Sequence, residues 1–159
     1  MKKNDCFLLV FVVFSLVFIS QIALVEATTR YNDYDSYDDG YLDMDCEASI
    51  WAAPKAGGGY FMDQQYFNVD IDSRTGCGIY WVHIIIYIQG DLFIDDYPVN
   101  NGLYPNWGPD SVYDDYWDYD EYYTSNYAVW ASITVQVLWI RSGGSPHITT
   151  IQAEASYGA

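Results

Sequence analysis

Aspartate and tyrosine intermingle in two tracts of this chain, and they are the residues with the most chemistry to offer. The first runs Arg30-Tyr-Asn-Asp-Tyr-Asp-Ser-Tyr-Asp-Asp-Gly-Tyr-Leu-Asp-Met-Asp45, and the second runs Tyr113-Asp-Asp-Tyr-Trp-Asp-Tyr-Asp-Glu-Tyr-Tyr123. Carboxylate oxygen is what hard divalent cations select, and calcium takes about six to eight oxygen ligands. Asp33, Asp35, Asp38, Asp39, Asp43 and Asp45 make one candidate calcium-binding set, and Asp114, Asp115, Asp118, Asp120 and Glu121 make the other. Asp35-Ser-Tyr-Asp-Asp-Gly40 has the glycine and two of the acidic positions of an EF-hand loop. It lacks an acid at the third position, and Cys46 stands where the closing glutamate belongs. The pattern therefore argues for several weak sites, with Kd on the order of 10⁻⁴ to 10⁻³ M, and against one tight cage.

The aromatic half of the tracts opens two further chemistries. Tyr34, Tyr37, Tyr41, Tyr116 and Tyr119 lie among acids, a setting suited to tyrosine sulfation in a eukaryotic secretory route. Oxidation to catechols for adhesion or cross-linking is also open to a chain with 17 tyrosines. Trp107 and Trp117 offer flat faces on which a sugar ring can stack. Against all of these stands the plain reading, solvated acidic arms of low complexity.

Catalysis finds little footing. Glycoside hydrolysis needs two carboxylates at a set separation, and a chain this acidic offers such pairs without specificity. His83 stands in an apolar run beside Ile84 and Ile85, where a hydrogen-bonded structural role suits it better than that of a base. No GxSxG, HExxH, phosphate-binding loop or dinucleotide fingerprint occurs, so the chain is read as no enzyme.

The N-terminus and the composition set the compartment. Lys2 and Lys3 precede an apolar run from Phe7 to Ile19, and Val25-Glu26-Ala27 supplies small residues for cleavage, so residues 1–27 are read as a signal peptide. The rival reading, a retained membrane anchor, lacks a positively charged flank after the run. The mature protein is therefore expected to be secreted, with no stable membrane insertion. Beyond Ala27 only Arg30, Lys55, Arg74 and Arg141 are basic, against 20 acidic residues. The formal charge of −16 excludes nucleic acid as a partner and favours calcium, mineral surfaces or cationic macromolecules. Cys46 and Cys77 are the only cysteines past the leader, an even number for an oxidising compartment. They are expected to form a disulfide worth roughly 3 to 4 kcal/mol in the chain-entropy account.

Apolar residues at period two supply the elements that must hold these groups. Phe67, Val69 and Ile71 alternate with Asn68, Asp70 and Asp72. Residues 79–89 place Tyr80, Val82, Ile84, Ile86 and Ile88 on one face, and residues 127–141 do the same for Val129, Ala131, Ile133, Val135, Val137 and Trp139. After the turn at Ser142-Gly-Gly-Ser145 a last strand carries Ile151, Ala153, Ala155 and Tyr157. With shorter candidates at 48–53 and 91–97, about six strands and no helix are expected. The fold class is all-β: a small antiparallel β-sandwich, or alternatively a β-barrel, over residues 46–159 as one domain. Residues 28–45 are expected to be a disordered acidic arm, and residues 98–126 a long acidic loop.

In composition the chain resembles acidic, tyrosine-rich secreted proteins of extracellular matrices, notably the organic matrix of shells and calcified skeletons. The resemblance rests on the leader, a pI near 4.1 and the two Tyr/Asp tracts. It implies a structural role in which a β-domain carries acidic arms that gather calcium, with no tightly bound cofactor. The alternative is a secreted carbohydrate- or protein-binding module that uses the 98–126 loop as its contact surface.

Overall fold

Strands that alternate apolar and polar residues must pair and then bury their apolar sides against a second layer. The computed structural model describes residues 27–99, 107–125 and 127–158, so the leader lies outside the described residues except for Ala27. Among the described residues nine strands follow one another: β1 (Thr29–Asp38), β2 (Leu42–Pro54), β3 (Tyr60–Ser73), β4 (Cys77–Ile88), β5 (Asp91–Pro98), β6 (Ser111–Asp118), β7 (Tyr122–Thr124), β8 (Val129–Arg141) and β9 (Pro146–Tyr157). Sheet A has the order β1-β2-β3-β6, with β7 also paired to β3, and sheet B has the order β5-β4-β8-β9. All pairings are antiparallel. The ladders do not run from one sheet into the other, so the architecture is the sandwich and not the closed barrel.

One core fills the space between the sheets. Sheet A contributes Leu42, Met44, Ile50, Met62, Phe67, Val69 and Ile71, and sheet B contributes Ile79, Val82, Ile84, Ile133, Val135 and Val137, each at most 1% exposed. The faces expected for residues 67–72, 129–139 and 151–155 are the ones observed. Tyr80 is the exception in β4. The register against β8 shifts between Ile79 and Trp81, and this bulge turns Ile79 inward beside Val82 while Tyr80 leaves the core face.

Both acidic tracts form strands, which corrects the expected arm and, over residues 107–125, the expected loop; its residues 100–106 and 126 lie outside the described residues. Residues 28–45 supply β1, its turn and the start of β2, paired from Thr29↔Ala52 to Asp38↔Asp43. Within 98–126, β6 pairs with β3 from Gln65↔Asp118 to Asp72↔Ser111, and β7 pairs with the start of β3. Tyrosine is a strong strand former, and a partner strand satisfies the backbone that an isolated acidic tract would leave to water. Trp107 and Asp110 anchor the entry to β6: Gly76 N donates to the Trp107 carbonyl (3.0 Å), and Asp110 N donates to Ser73 Oγ (2.9 Å). Gly108, at φ +59°, passes so close to this turn that a Cβ would stand 2.8 Å from the Cys77 carbonyl oxygen.

Acids also close one side of the sandwich. Asp33 and Asp35 sit on the inward side of β1, opposite Ala48 and Cys46. Their carboxylates accept hydrogen bonds from the β9 amides of Glu154 (3.0 Å) and Gln152 (2.9 Å). The outer edge of β9 is thus capped by side chains of sheet A, which blocks further strand addition there. At the end of this seam Arg141 of sheet B pairs with Asp39 in the β1–β2 turn, and its guanidinium lies 4.6 Å from the Tyr41 ring centre.

The expected disulfide is not formed: Cys46 and Cys77 are both buried free thiols. Cys46 lies inside sheet A opposite Val69, whereas Cys77 opens β4 of sheet B opposite Arg141. Arg74 N donates to the Tyr41 carbonyl (2.8 Å), which places the β3–β4 turn level with the start of β2. Cys46 is five residues further on, about 15 Å of strand, and the Cα atoms of a disulfide must approach within about 7 Å. Burial pushes the Cys46 thiol up to about 12 and the Cys77 thiol up to about 11.

Iodoacetamide at pH 8 is therefore expected to leave Cys46 and Cys77 unmodified in the native protein and to alkylate both in denaturant, as read by peptide mass; a Cys46–Cys77 cross-link, refractory to alkylation until reduced, would contradict the free thiols. Replacing Asp33 and Asp35 together by Ala removes two charge-assisted but solvent-exposed hydrogen bonds, so urea denaturation should show a loss of about 1 to 2 kcal/mol, with self-association through the uncapped β9 edge seen by light scattering.

Candidate functional site

The outer face of sheet A collects carboxylates in rows. Cross-strand register sets Asp38, Asp43 and Asp72 side by side on β1, β2 and β3, with Ser111 of β6 completing the row. The next row is Ser36, Asp45, Asp70 and Tyr113, and the one after is Tyr34, Glu47, Asn68 and Asp115. Strand spacing puts neighbours in a row about 4.8 Å apart and successive rows about 7 Å apart. A depression of about 340 Å³ lies among Tyr34, Ser36, Asp45, Glu47, Asn68 and Asp70.

These acids differ in how they are neutralised. Arg30 pairs with Glu47 and also donates to Ser49 Oγ (3.0 Å), so in the third row Glu47 is neutralised and Asp115 is the remaining acid. Arg74 comes only to 3.9 Å of Asp38, both side chains being well exposed. Asp43, Asp45, Asp70 and Asp72 have no cation among these ion pairs. Burial, and then the charges of Asp43 and Asp70, raise the Asp45 carboxyl above its ordinary value. Like charges placed directly across a sheet are destabilising, so this face carries a cost that folding alone does not require. Among the described residues no group of three or more His, Cys, Asp or Glu converges as a cage around one metal ion. Side chains standing side by side on a sheet present one row of oxygens to a surface, which suits shared, weak coordination.

An aromatic platform continues the same face. Trp117 stacks with Trp51 (5.8 Å) and Tyr119 (5.8 Å, 7° between planes) and packs tilted against Tyr66 (4.6 Å, 42°), and Arg30 lies over Trp51 at 5.2 Å. Trp107 does not join it. It precedes β6 at the Ser111 end, and Trp117 lies six residues along that strand, about 20 Å away. The two tryptophans expected to act together therefore belong to opposite ends of the sheet.

The remaining sequence candidates divide by the direction they face. Asp38, Asp43, Asp45 and Asp115 lie on the outer face, whereas Asp33, Asp35 and Asp39 turn inward and are engaged with β9 and Arg141. Asp38 Oδ1 accepts from Gly40 N (2.7 Å), and Asp39 Oδ1 from Tyr41 N (2.9 Å) and Leu42 N (3.1 Å). The stretch 35–40 that resembles a calcium loop is in fact the end of β1 and the start of a turn held by its own carboxylates. Asp114 and Asp118 face inward on β6 and accept from Tyr116 Oη (3.0 Å) and Tyr122 Oη (2.8 Å); Asp120 and Glu121 lie in the turn after β6. Of the tyrosines named for modification, Tyr34, Tyr41 and Tyr119 are exposed, while Tyr37 and Tyr116 face inward. His83 is on the outer face of sheet B, paired with Asp96. Asp70 and Asp72 were not among the candidates, although their alternation with Val69 and Ile71 marks them as solvent-facing.

The two perturbed aspartates carry opposite signs. Asp45 is raised in the fold, so its ionised form costs stability above its folded value and costs nothing below the ordinary 3.8. D45N should raise the melting temperature at pH 7, and the gain should shrink in high salt and vanish near pH 3. Burial alone would raise Asp39, but hydrogen bonds from the Leu42 and Tyr41 amides and from Arg141 outweigh it and hold the carboxyl low. Its stabilisation is present above 3.8 and is lost as pH falls through the folded value, so D39N should destabilise at pH 7 and flatten the acid limb of a stability–pH profile.

Compared with known proteins, the chain matches no protein-family model and has no significant match among curated proteins, so no family assignment bears on this face.

Proposed function

We propose that this protein is a secreted, non-catalytic structural component of an extracellular matrix, binding calcium or a calcium-bearing mineral surface weakly and at many points through the outer face of sheet A. The observation that carries this reading is the pair of adjacent acidic rows, Asp38/Asp43/Asp72 and Asp45/Asp70, set by strand register. An array of this kind is complementary to a surface of divalent cations, where each ion shares its coordination between the protein and the solid or water. A formal charge of −16 raises the local concentration of such cations, and cationic matrix macromolecules are drawn by the same field. The tracts act here as strands of a sheet; the working acids include Asp70 and Asp72 and leave out Asp33, Asp35 and Asp39, which the fold uses internally.

The Trp51/Tyr66/Trp117/Tyr119 platform favours a second reading, a carbohydrate-binding module, because planar rings on an open sheet face suit stacking against pyranose rings. In that reading the contact surface is the sheet and not the loop around Trp107.

Calcium titration of the mature protein by calorimetry tests the first reading. The variant D43N/D45N/D70N/D72N should lose most of the weak sites and most adsorption to calcium carbonate or phosphate, while D120N/E121Q should keep them. Unchanged stoichiometry in the fourfold variant would refute the sheet-face assignment. Retained calcium binding together with saturable binding of a soluble polysaccharide, abolished by W117A, would favour the second reading.

A further inference from the structure

Among the described residues, the edge of the sandwich opposite the Asp33/Asp35 seam is open. There β5 and β6 border the two sheets without pairing, and a cleft of about 400 Å³ lies between them. Its floor is the core itself: Phe67, Ile84, Ile86 and Ile88, each at most 4% exposed. Register places Asp91, Phe93 and Asp95 of β5 opposite the inward residues Ile88, Ile86 and Ile84, so Phe93 is flanked by two acids on that wall. The other wall repeats the pattern, with Tyr116 of β6 flanked on its inward side by Asp114 and Asp118. A sandwich sealed at this edge would place aliphatic residues at such positions.

The chemistry of the lining selects a ligand. Asp95, Asp118 and Asp120 line the cleft with no lysine or arginine among the described lining residues. Tyr116 Oη reaches Asp95 Oδ2 at 3.4 Å, so the two walls meet through an aromatic–carboxylate contact. An apolar floor takes a hydrophobic body, and the carboxylates and ring faces take a positive charge. The net charge of −16 turns away fatty acids and other anions.

We propose that the β5/β6 cleft is a binding site for a small organic cation with an apolar body, a hydrophobic primary amine. This site is separate from the acidic face of sheet A and does not depend on its function.

Calorimetric titration of the full mature chain with 2-phenylethylamine, 2-phenylethanol and 3-phenylpropanoate tests it. The amine should bind at one site at least tenfold more tightly than the isosteric alcohol, and the anion should not bind. In D95N/D118N/D120N the amine should fall to the level of the alcohol, with alcohol binding unchanged. F93K, which changes a half-exposed wall residue and supplies the cleft with its own ammonium, should abolish amine binding while leaving the urea midpoint close to wild type. D43N/D45N/D70N/D72N should bind the amine as wild type does. Equal affinity for amine and alcohol, binding of the anion, or amine binding that survives F93K or is lost in the sheet-A variant would each overturn the proposal.

Discussion

The sandwich rests on the burial of one side of every long strand, because that burial offsets the repulsion collected on the other side. Fully burying a side chain of the size of Ile, Val or Met contributes roughly 1.5 to 3 kcal/mol, whereas a like-charged pair across a sheet costs less than about 1 kcal/mol. Met44 and Ile71 lie beneath the Asp43/Asp72 row, and Val69 and Ile71 flank Asp70 on its own strand, so each unfavourable pair is tied to residues that gain more. Asp45 and Asp70 stay adjacent because separating them would require β2 and β3 to slip by a residue, which would expose their whole apolar faces.

The same constraint explains why the two edges of the sandwich differ. At β1 and β9 inward acids found partners, the free amides of an edge strand, and a feature that looks costly became a seam. At β5 and β6 the inward acids face one another across a gap, and the Tyr116 hydroxyl contacts acids of both strands. Charged residues on the inner side of edge strands limit sheet extension in both places. The second arrangement leaves a cleft floored by core side chains.

Where one face of a strand is uniformly apolar, the sequence was readable. The residues 67–72 and 129–139 and their exposed partners follow directly from alternation, and with them the all-β class and the sandwich. β1 and β6 were not readable in this way, because their inward positions hold Asp33, Asp35, Asp114 and Asp118 in place of aliphatic residues, so the period-two signal is absent. Their tyrosines did carry strand propensity, which the acidic composition masked. Tyr80 was misplaced because a bulge has no signature in the alternation that it interrupts. Asp38, Asp43 and Asp45 were identifiable as candidate ligands, but their partners Asp70 and Asp72 come from a strand some thirty residues away. Only the long-range pairing of β2 with β3 brings them into register. The cysteines show the limit of counting: an even number permits a bridge, and strand geometry forbids it.

The outer face of sheet B bears on how the molecule sits at an interface. It carries Trp81, Leu138 and Ile148 in one row and Ile85, Ile94 and Thr134 in another, with Asp96 and Glu154 as its acids along β5 and β9. Opposing this to the carboxylate rows of sheet A gives the protein an electric dipole along the stacking axis of its two layers. Such a particle approaches a positively charged plane with a preferred orientation and comes to rest the same way up each time. A layer of these molecules would present indole and aliphatic groups to the liquid, turning a wettable ionic surface into one that water spreads on less readily.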